Sequence, residues 1–449
     1  MRRAVALAVG SGVVLAAAAA GPAWAREVKD DTAAPAATKA VDYAGYELRV
    51  PAGWPVYRLD QHPSTCVRYD VPAVYLGTPG ADQRCPAGLL GRTATVSIIP
   101  GTVAAAGTTK VASLPAVGAT VAGNAVQHQL RVSLGAATGR SATVVATYGD
   151  SPAAVEQVLA TLRMAPGGAP GGAVRAARQQ APAKLPQAAP QAQPVGVAWR
   201  GVPPGWPTQI VVSPPPPPVP PDARPVLGFD TCTAPSLATM KTWRRAYGAV
   251  GVYIGGVNAA CAYGNLSANW IKSAQGMGWG LIPTYVGPQA PCYGYGVMIN
   301  AKRAASQGKA AGDDAVADAK LLGLPQGSPV YDDMEAYNDD AAGCRAAVLT
   351  FLGAWDREVT ARGYLAGVYS SQDSGIDDME AAAVAKTPGF TAPRAVWIAH
   401  WDNQATLQDG TLVWPLQDRN KQYQGPHNRT VGGITLNIDG DLAGGPLAH

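Results

Sequence analysis

Apolar runs alternate with helix-period segments along residues 225–449. Short apolar runs bounded by glycine, proline or polar residues indicate strands, and apolar residues three or four positions apart indicate helices. This pattern predicts eight strands, which cover residues 226–230, 249–255, 280–286, 329–335, 366–370, 395–400, 412–417 and 433–439.

Three helices with recognisable ends lie between these strands. They cover residues 236–247, 267–275 and 344–362. A serine begins each of the first two, and a glycine follows all three, as helix caps require. Trp243, Trp270 and Trp355 lie on the apolar faces of these helices, so we expect them in the core.

Eight strands alternating with helices in about 225 residues predict a (β/α)8 TIM-like barrel with its last turns shortened. A doubly wound open sheet is the alternative. The C-terminal strand ends of such a barrel form its active site. Asp230 closes the first predicted strand, Asp333 and Glu335 the fourth, and Asp439 the eighth. We therefore expect four carboxylates at one mouth.

Residues 42–165 have a different pattern, with short alternating runs at 94–99 and 142–148 and one helix at 151–164. They predict a small α+β domain of unknown function. Residues 166–224 are dominated by Pro, Ala, Gln and Gly, a composition that cannot form a core and favours a semi-rigid linker. A proline-rich ligand for a partner domain is the alternative reading of this segment.

The chain starts with Met1-Arg2-Arg3, an apolar run to Ala20 and Ala23-Trp24-Ala25. This order is typical of a secretory signal, predicted to cover residues 1–25 and to direct Sec or Tat export. An uncleaved anchor is the alternative, but the run is short for a membrane span. No later segment is long and apolar enough to cross a membrane. We expect a mature protein that is secreted or associated with the cell wall.

The six cysteines are expected to form disulfides outside the cytoplasm. Cys66 and Cys85 are the two cysteines of residues 42–165 and are predicted to pair. Three pairings are possible for the remaining four, which are Cys232, Cys261, Cys292 and Cys344. None has the Cys-x-x-Cys spacing of a zinc site, and we expect neither a metal nor a cofactor.

The net charge of +4 falls to about +2 without the two arginines of the signal. This charge is too weak and too dispersed for a nucleic-acid-binding protein. The chain lacks the phosphate-binding Gly-x-x-x-x-Gly-Lys motif and the Gly-x-Ser-x-Gly turn of serine hydrolases. A metal-dependent hydrolase is disfavoured because histidines are few. Oligomeric state is left open.

The segment from Val330 to Glu335 brings acids together on one strand. Side chains alternate along a strand, so Asp333 and Glu335 share one face while Asp332 points the other way. In proteins generally, acidic residues at strand ends often only cap the next helix or keep a loop in contact with water. Two carboxylates held close together, however, push one pKa upward and leave a proton donor beside an ionised group. This is the basic equipment of a glycosidase.

Five motifs resemble those of a known family: Gly228-Phe229-Asp230, Tyr253-Ile254-Gly255-Gly256, Pro283-Thr284-Tyr285, Tyr331 to Glu335 and Asn437-Ile438-Asp439. It is the glycoside-hydrolase-like barrel domain of exported bacterial proteins, which is similar to the family 25 lysozymes. The resemblance covers nearly all of residues 225–449 and none of residues 42–165. It implies that Glu335 is the general acid, that Asp333 orients an N-acetyl group or water, and that Asp230 and Asp439 stabilise positive charge on the sugar.

The resemblance implies an exported glycoside hydrolase that acts on peptidoglycan or a related N-acetylated polysaccharide. The alternative is a non-catalytic cell-wall protein that binds glycan with the same barrel. The cysteines near the mouth and the insertion at 287–300 are expected to narrow or cover the groove. Aromatic and histidine side chains near strand ends are candidate sugar contacts: Tyr285, Tyr293, Tyr295, Tyr337, Trp397, His400, Trp401 and Trp414.

Overall fold

A computed structural model describes residues 37–103, 108–135, 141–165, 225–262, 264–341, 343–408, 411 and 413–449. The predicted signal at 1–25 and the predicted linker at 166–224 lie outside the described residues. The described residues between Thr38 and His449 belong to one compact unit.

Among its described residues the N-terminal region is rich in β-structure and contains one α-helix. Its elements are β1 (Thr38–Tyr43), β2 (Tyr46–Pro51), β3 (Val56–Arg58), β4 (Ala73–Leu76), β5 (Thr95–Pro100), β6 (Thr109–Leu114), β7 (Ala119–Asn124), β8 (Gln129–Leu134), β9 (Ala142–Thr147), α1 (Ala153–Ala160) and β10 (Arg163–Met164).

Two sheets form this region, a three-stranded one with the order β1-β2-β10 and a seven-stranded one with the order β3-β4-β5-β9-β8-β7-β6. The predicted runs at 94–99 and 142–148 become β5 and β9, which pair antiparallel. Helix α1 is shorter than the predicted 151–164 because residues Arg163–Met164 pair with β2 instead. Val155, Val158 and Leu159 of α1 are buried in the core of this region.

The C-terminal region alternates strands with helices over most of its length. Its elements are β11 (Val226–Asp230), α2 (Leu237–Trp243), β12 (Ala249–Gly255), α3 (Ala268–Gly276), β13 (Gly280–Tyr285), α4 (Ala304–Leu321), β14 (Pro329–Asp333), α5 (Cys344–Ala361), β15 (Leu365–Ser371), α6 (Asp377–Val384), β16 (Ala395–Ala399), β17 (Arg419–Val431) and β18 (Ile434–Ala443).

Within the described residues these strands close into an eight-stranded barrel in chain order. The expected strand number is therefore confirmed, and the open sheet is excluded. Consecutive strands from β11 to β17 pair in parallel, whereas β18 pairs antiparallel with both β17 and β11. A 3-10 turn at Leu416–Asp418 precedes β17, and a tight hairpin joins β17 to β18. The barrel thus departs from a uniform repeat of strand and helix in its last third.

The seventh predicted strand, at 412–417, is wrong, because β17 begins only at Arg419. The first residues of β17 are polar and yet buried, so an apolar pattern does not reveal them. Their polar atoms are hydrogen-bonded inside the barrel: the Asn420 amide, for example, donates to the Tyr331 hydroxyl over 3.0 Å. Buried polar groups are tolerated when they have such partners.

Helix α4 was not predicted, since its buried face consists largely of alanine and glycine. These small residues allow α4 and α5 to approach closely. A Cβ atom on Gly308 would clash with the carbonyl oxygen of Phe351 in α5. Trp243, Trp270 and Trp355 are buried in the core that the helices form, as expected.

Aromatic rings fill the lower part of the barrel interior. Trp397 packs edge-on against Tyr369 and Tyr331, with ring centroids 4.9 and 6.4 Å apart. Gly251 makes room for this packing, because a Cβ atom there would lie 2.5 Å from the Asp230 Cβ and 3.1 Å from the Trp397 ring. The rings fill the barrel interior beneath the mouth, and the acidic side chains lie at the mouth.

All six cysteines are described and paired. Cys66 bonds to Cys85, as predicted. Cys232 bonds to Cys261 and Cys292 to Cys344, which selects one of the three pairings left open. The first of these joins the loops that follow β11 and β12, and the second joins the loop after β13 to the start of α5. Among the described helices none combines the length and apolar character needed to cross a bilayer.

The contact between α4 and α5 yields a stability prediction. We expect Gly308→Ala to lower the free energy of unfolding by about 2 kcal/mol or more, because the new methyl group clashes with rigid helix backbone. Urea unfolding of the full chain measures it. Gly276→Ala at the end of α3 is the matched control, since a Cβ atom added there would have no other atom within 4 Å. We expect it to be neutral or stabilising by up to about 1 kcal/mol. Equal losses in both variants would contradict close α4–α5 packing.

Candidate functional site

The four predicted carboxylates converge on the mouth of the barrel. Asp230 ends β11, Asp333 ends β14, and Glu335 lies two residues further on. Asp439 was expected at the C-terminal end of the last strand, but β18 continues to Ala443. Because β18 is antiparallel, its earlier residues reach the mouth, and Asp439 pairs in register with Asp230.

These acids are withdrawn from solvent. Asp230 is 0% exposed, Asp439 2%, Asp333 3% and Glu335 7%, so Glu335 is the most accessible of the four. Asp332 is buried on the opposite face of β14, as strand alternation predicted. Among the described protein atoms neither of its carboxyl oxygens has a hydrogen-bond partner. Asp332 therefore belongs to the wall of the barrel and not to its mouth.

Asp230 is held by two neutral donors. The Tyr253 hydroxyl donates to Oδ1 over 2.9 Å, and Nε2 of Gln422 donates to Oδ2 over 2.8 Å. The other end of the Gln422 amide accepts from the Tyr369 hydroxyl at 2.9 Å and from Nε1 of Trp401 at 2.8 Å. Because both of these donors bond to Oε1, the Gln422 amide is oriented with its NH2 group toward Asp230. These hydrogen bonds favour the ionised form of Asp230, but its burial has the larger effect and raises its pKa above the ordinary value.

A fifth carboxylate, Asp441, lies below Asp439 on the same face of β18 and was missed in the sequence. Nε1 of Trp397 donates to its Oδ1 over 3.2 Å, and it shares a hydrogen bond with Asp230. Burial and the charges of Asp230 and Asp439 raise the pKa of Asp441 well above its ordinary value. The two-residue spacing of Asp439 and Asp441 was the available signal, because period two puts both on one face.

The insertion at 287–300 supports the end of β14. Its Gln289 side chain accepts from the Glu335 backbone N–H at 2.9 Å and donates to the Asp333 carbonyl at 2.7 Å. The disulfide between Cys292 and Cys344 ties the insertion to the start of α5. One glutamine thus fixes the backbone that carries Asp333 and Glu335. This glutamine had no recognisable signal in the sequence.

Burial sets the proton affinities at the mouth. It raises the pKa of Glu335 to about 7, and the nearby Asp230 charge adds to the effect. Burial, together with the charges of Glu335, Asp332 and Asp230, raises the pKa of Asp333 well above its ordinary value. The pKa of Asp439 is raised mainly by burial as well. Burial raises the pKa of Asp230 as well, although hydrogen bonds from Gln422, Tyr253 and Asp441 lower it in part. Glu335 can therefore donate a proton near neutral pH.

The candidate aromatic residues fall into three places. Trp401 stands at the mouth with 41% of its surface exposed, and its neighbour His400 is anchored by a backbone hydrogen bond of 3.0 Å to Gln422. Trp397 lies inside the barrel. Tyr285, Tyr337 and Trp414 are buried away from the acids, where they donate to Asp314, to Asp378 and to the Pro393 carbonyl, respectively.

The two tyrosines of the insertion also differ. Tyr293 lies close enough to Glu335 and Asp333 for their charges to add to the effect of burial in raising its pKa. Tyr295 is half-exposed, and its hydroxyl donates to the Asp70 carbonyl of the N-terminal region over 3.3 Å. Trp397 bonds to Asp441 inside the barrel. Trp401 and Tyr293 are the aromatic candidates near the acids outside the barrel interior.

One cluster in the described part of the chain brings three potential metal ligands close together. It consists of Cys66, Cys85 and Cys261. All three are committed to disulfides, so they offer no thiolate. The mouth carboxylates do not form such a cluster.

Residues 241–443 match the family described as Rv2525c-like, glycoside hydrolase-like domain. The resemblance expected from the motifs is confirmed for this part of the chain. None of the curated proteins compared with the chain is significantly similar to it.

Solved structures resemble about half of the chain more distantly. An uncharacterized protein of B. stearothermophilus is 18% identical over 49% of this chain and 95% of its own, with a TM-score of 0.34. The Tat-secreted protein Rv2525c of Mycobacterium tuberculosis is 15% identical over 48% of this chain and 93% of its own, with a TM-score of 0.33. The modular autolysin LytC from Streptococcus pneumoniae is 14% identical over 49% of this chain and 46% of its own, with a TM-score of 0.34. These likenesses are too distant to assign an activity.

The raised pKa of Glu335 yields a prediction about stability. The folded state holds this proton up to about pH 7, whereas the unfolded chain releases it near 4.5. Its contribution is therefore complete below pH 4.5 and is lost as the pH rises through 7. We expect Glu335→Gln to gain stability relative to the natural protein between pH 4 and pH 8, by on the order of 3 kcal/mol. Chemical unfolding across this range measures the difference, and a constant difference would contradict the raised pKa.

Proposed function

We propose that residues 225–449 form a glycoside hydrolase domain of an exported protein, acting on peptidoglycan or a related N-acetylated polysaccharide. One observation carries the proposal: at the barrel mouth, Glu335 has a pKa of about 7 beside Asp230, which accepts two neutral hydrogen bonds. A proton donor beside a second, hydrogen-bonded carboxylate is the combination that cleaves glycosidic bonds. The match to a glycoside hydrolase-like family supports the same reaction class.

In this proposal Glu335 protonates the leaving glycosidic oxygen, since it is the most exposed of the acids. Asp230 stabilises the positive charge that develops on the sugar ring, and Asp439, in register with it, adds to that field. Asp333 orients the N-acetyl group or the attacking water. Asp441 is a positioning residue that acts through Asp230. We interpret the barrel as a (β/α)8 variant whose last strand is reversed.

Trp401 is proposed as a stacking surface for a sugar ring. It is exposed at the mouth, and its indole N–H is bonded to the same Gln422 that holds Asp230. A ring stacked there would lie beside the acids. We place the protein outside the cytoplasm, at the cell wall, because its six cysteines are oxidised and its start resembles an export signal.

A non-catalytic glycan-binding protein is the second candidate. The burial of all four acids, none more than 7% exposed, favours it, because a cleaving site must admit the scissile bond. The same Trp401 surface would then serve binding alone.

The catalytic proposal is tested with Glu335→Gln. Removing the acid proton should lower the release of reducing ends from purified peptidoglycan by about 100-fold or more, since general acid catalysis contributes about that much. Binding of the glycan should persist. Glu156→Gln, at an exposed position of α1, is the matched control and should keep full activity. Undiminished turnover in Glu335→Gln would refute the role of Glu335, whereas binding without turnover in the natural protein would favour the second candidate.

The stacking proposal is tested with Trp401→Ala. We expect it to weaken glycan binding by about tenfold, in keeping with the energies of aromatic contacts. Leu416→Ala is the control, because Leu416 has a similar exposure of 44% but precedes β17 at the opposite end of the barrel. Calorimetric titration with a soluble peptidoglycan fragment measures both variants. Equal affinities for the two variants would show that Trp401 contacts no sugar.

A further inference from the structure

A loop of the N-terminal region, residues 85–91, lies over one side of the barrel mouth. The Ala87 backbone N–H donates to Oδ1 of Asn437 over 2.9 Å. Asn437 lies two residues before Asp439 on β18, and side chains two positions apart share one face of a strand. Asn437 is therefore on the mouth-facing side of β18, nearer to solvent than Asp439. The loop that it holds lies above Asp439.

The same loop packs against the side of the mouth formed by β12. Leu90 forms a β-bridge with Ala259, in the segment that follows β12. These two residues belong to a buried apolar cluster against which Tyr253 packs. The Tyr253 hydroxyl in turn donates to Asp230 over 2.9 Å. The loop therefore stands beside Asp230 as well as above Asp439.

The insertion at 287–300 continues this barrier on the side of β13. Its Tyr293 packs against the same apolar cluster as Tyr253. Its Tyr295 contacts the loop closely, because a Cβ atom on Gly91 would lie 2.6 Å from the Tyr295 ring. We call residues 85–91 and 287–300 together the wall. It borders the mouth from β18 past β11 and β12 to the segment after β13.

The wall is sealed against the barrel. The space between Gly88 and Leu89 of the loop and the facing residues, which include Tyr253, is about 10 Å³. This volume holds about one water molecule. A sugar ring is many times larger, so a glycan chain does not pass between the loop and the barrel.

The loop is also fixed in place. Cys85, at its start, bonds to Cys66, and this disulfide packs beside the Cys232–Cys261 disulfide in one buried cluster. At its end the Gly91 backbone N–H donates to the Asn258 carbonyl over 2.8 Å. With both ends attached to the barrel, the loop does not swing aside when a ligand binds.

The accessible groups of the mouth lie on the opposite side. Glu335, after β14, is the most exposed of the four acids. Trp401, after β16, is 41% exposed, and the side chain of its neighbour His400 is 43% exposed. In the strand order of the barrel, β14 to β16 lie across from β18 and β11. A ligand therefore reaches the acids from the side of β14 to β16.

The position of the wall limits which part of a glycan chain fits. In the proposed function the sugar that acquires positive charge lies at Asp230 and Asp439, and Glu335 protonates the oxygen that joins this sugar to the next one. The wall stands on the side of the charged sugar. An internal cleavage site would place the preceding sugars of the chain there. The leaving part of the chain extends toward Glu335 and the open side.

We propose that the wall restricts the site to the non-reducing ends of glycan chains, so that the protein removes terminal sugars and does not cut within a chain. The proposal rests on the glycan-directed function above and adds the position of cleavage. In each turnover the bond between the terminal sugar and the next one breaks. The Glu335 proton goes to the leaving oxygen, water supplies a hydroxyl group to the terminal sugar, and the second proton of that water returns to Glu335.

The test uses two octasaccharides of the peptidoglycan strand, one that starts with N-acetylglucosamine and one that starts with N-acetylmuramic acid. Each is prepared free and with a galactose on its non-reducing 4-hydroxyl group. Calorimetry with the full chain carrying Glu335→Gln avoids cleavage. For the free chain that binds more tightly, we expect the capped form to bind at least about tenfold more weakly, because the added sugar clashes with a rigid wall.

The products formed by the natural protein provide a second readout. A site for chain ends removes one sugar at a time, so mass spectrometry should detect the single sugar and the heptasaccharide as the first products of the free chain. Products of intermediate length at early times, formed from the free and the capped chain alike, would overturn the proposal.

Shortening the loop tests whether the wall causes the restriction. In this variant two glycines replace residues 86–89, while Cys85 and Leu90 are kept. We expect the affinity for the capped chain to rise by about tenfold, because the clash is removed. The affinity for the free chain should stay unchanged and is the internal control. Thermal unfolding verifies that the variant is folded; if it is not, the comparison of free and capped chains in Glu335→Gln decides alone.

The outcomes separate the wall from the function on which it rests. Equal binding of free and capped chains would overturn the restriction to chain ends while leaving glycan recognition intact. Failure of all four chains to bind would overturn glycan recognition itself, and the restriction with it. A preference for the free chain without turnover in the natural protein would support recognition of chain ends by a binding protein and contradict the catalytic function.

Discussion

The desolvation of carboxylates inside a closed barrel is the constraint on which the rest of the structure depends. Asp230, Asp333, Glu335, Asp439 and Asp441 are all buried at one end of the barrel. Buried acids resist ionisation, so most must hold protons or receive hydrogen bonds. The neutral donors Tyr253 and Gln422 both bond to Asp230. Burial raises the pKa of Asp230 as it does those of its neighbours, but the hydrogen bonds from Gln422 and Tyr253 act against this rise. The geometry therefore concentrates hydrogen-bond donors on one acid and differentiates groups that are chemically alike.

The elements around the mouth hold these acids in place. Aromatic rings close the barrel from below, where Gly251 leaves the space that Asp230 and Trp397 occupy. From the side, Gln289 in the insertion after β13 fixes the backbone of Asp333 and Glu335. Disulfides fasten both the insertion and the loops after β11 and β12. The N-terminal region adds a further wall. Preorganisation of this kind is what electrostatic catalysis requires, because groups that are already oriented need not reorganise during the reaction.

Much of this architecture was predictable because apolar runs mark strands that are buried on both faces. The first six barrel strands and the convergence of Asp230, Asp333 and Glu335 follow from such runs and from strand parity. Strand β17 escaped prediction because Asn420 and Gln422 are polar side chains satisfied only once the barrel has closed. Helix α4 escaped because its buried face is alanine and glycine. Tyr285 and Trp414 were placed near strand ends, but their orientations depend on packing against helices and loops. Contacts between residues far apart in the chain, such as Ala87 with Asn437, have no local signal.

The central claim is that Glu335 is a proton donor tuned by burial beside Asp230. Its most direct test is an NMR titration of the Glu335 side-chain carboxyl carbon in the natural full-length protein, assigned by comparison with Glu335→Gln. The account predicts a titration midpoint near pH 7. A midpoint near the ordinary value of 4.5 would mean that Glu335 is ionised at neutral pH, and it would contradict the assignment of Glu335 as the acid.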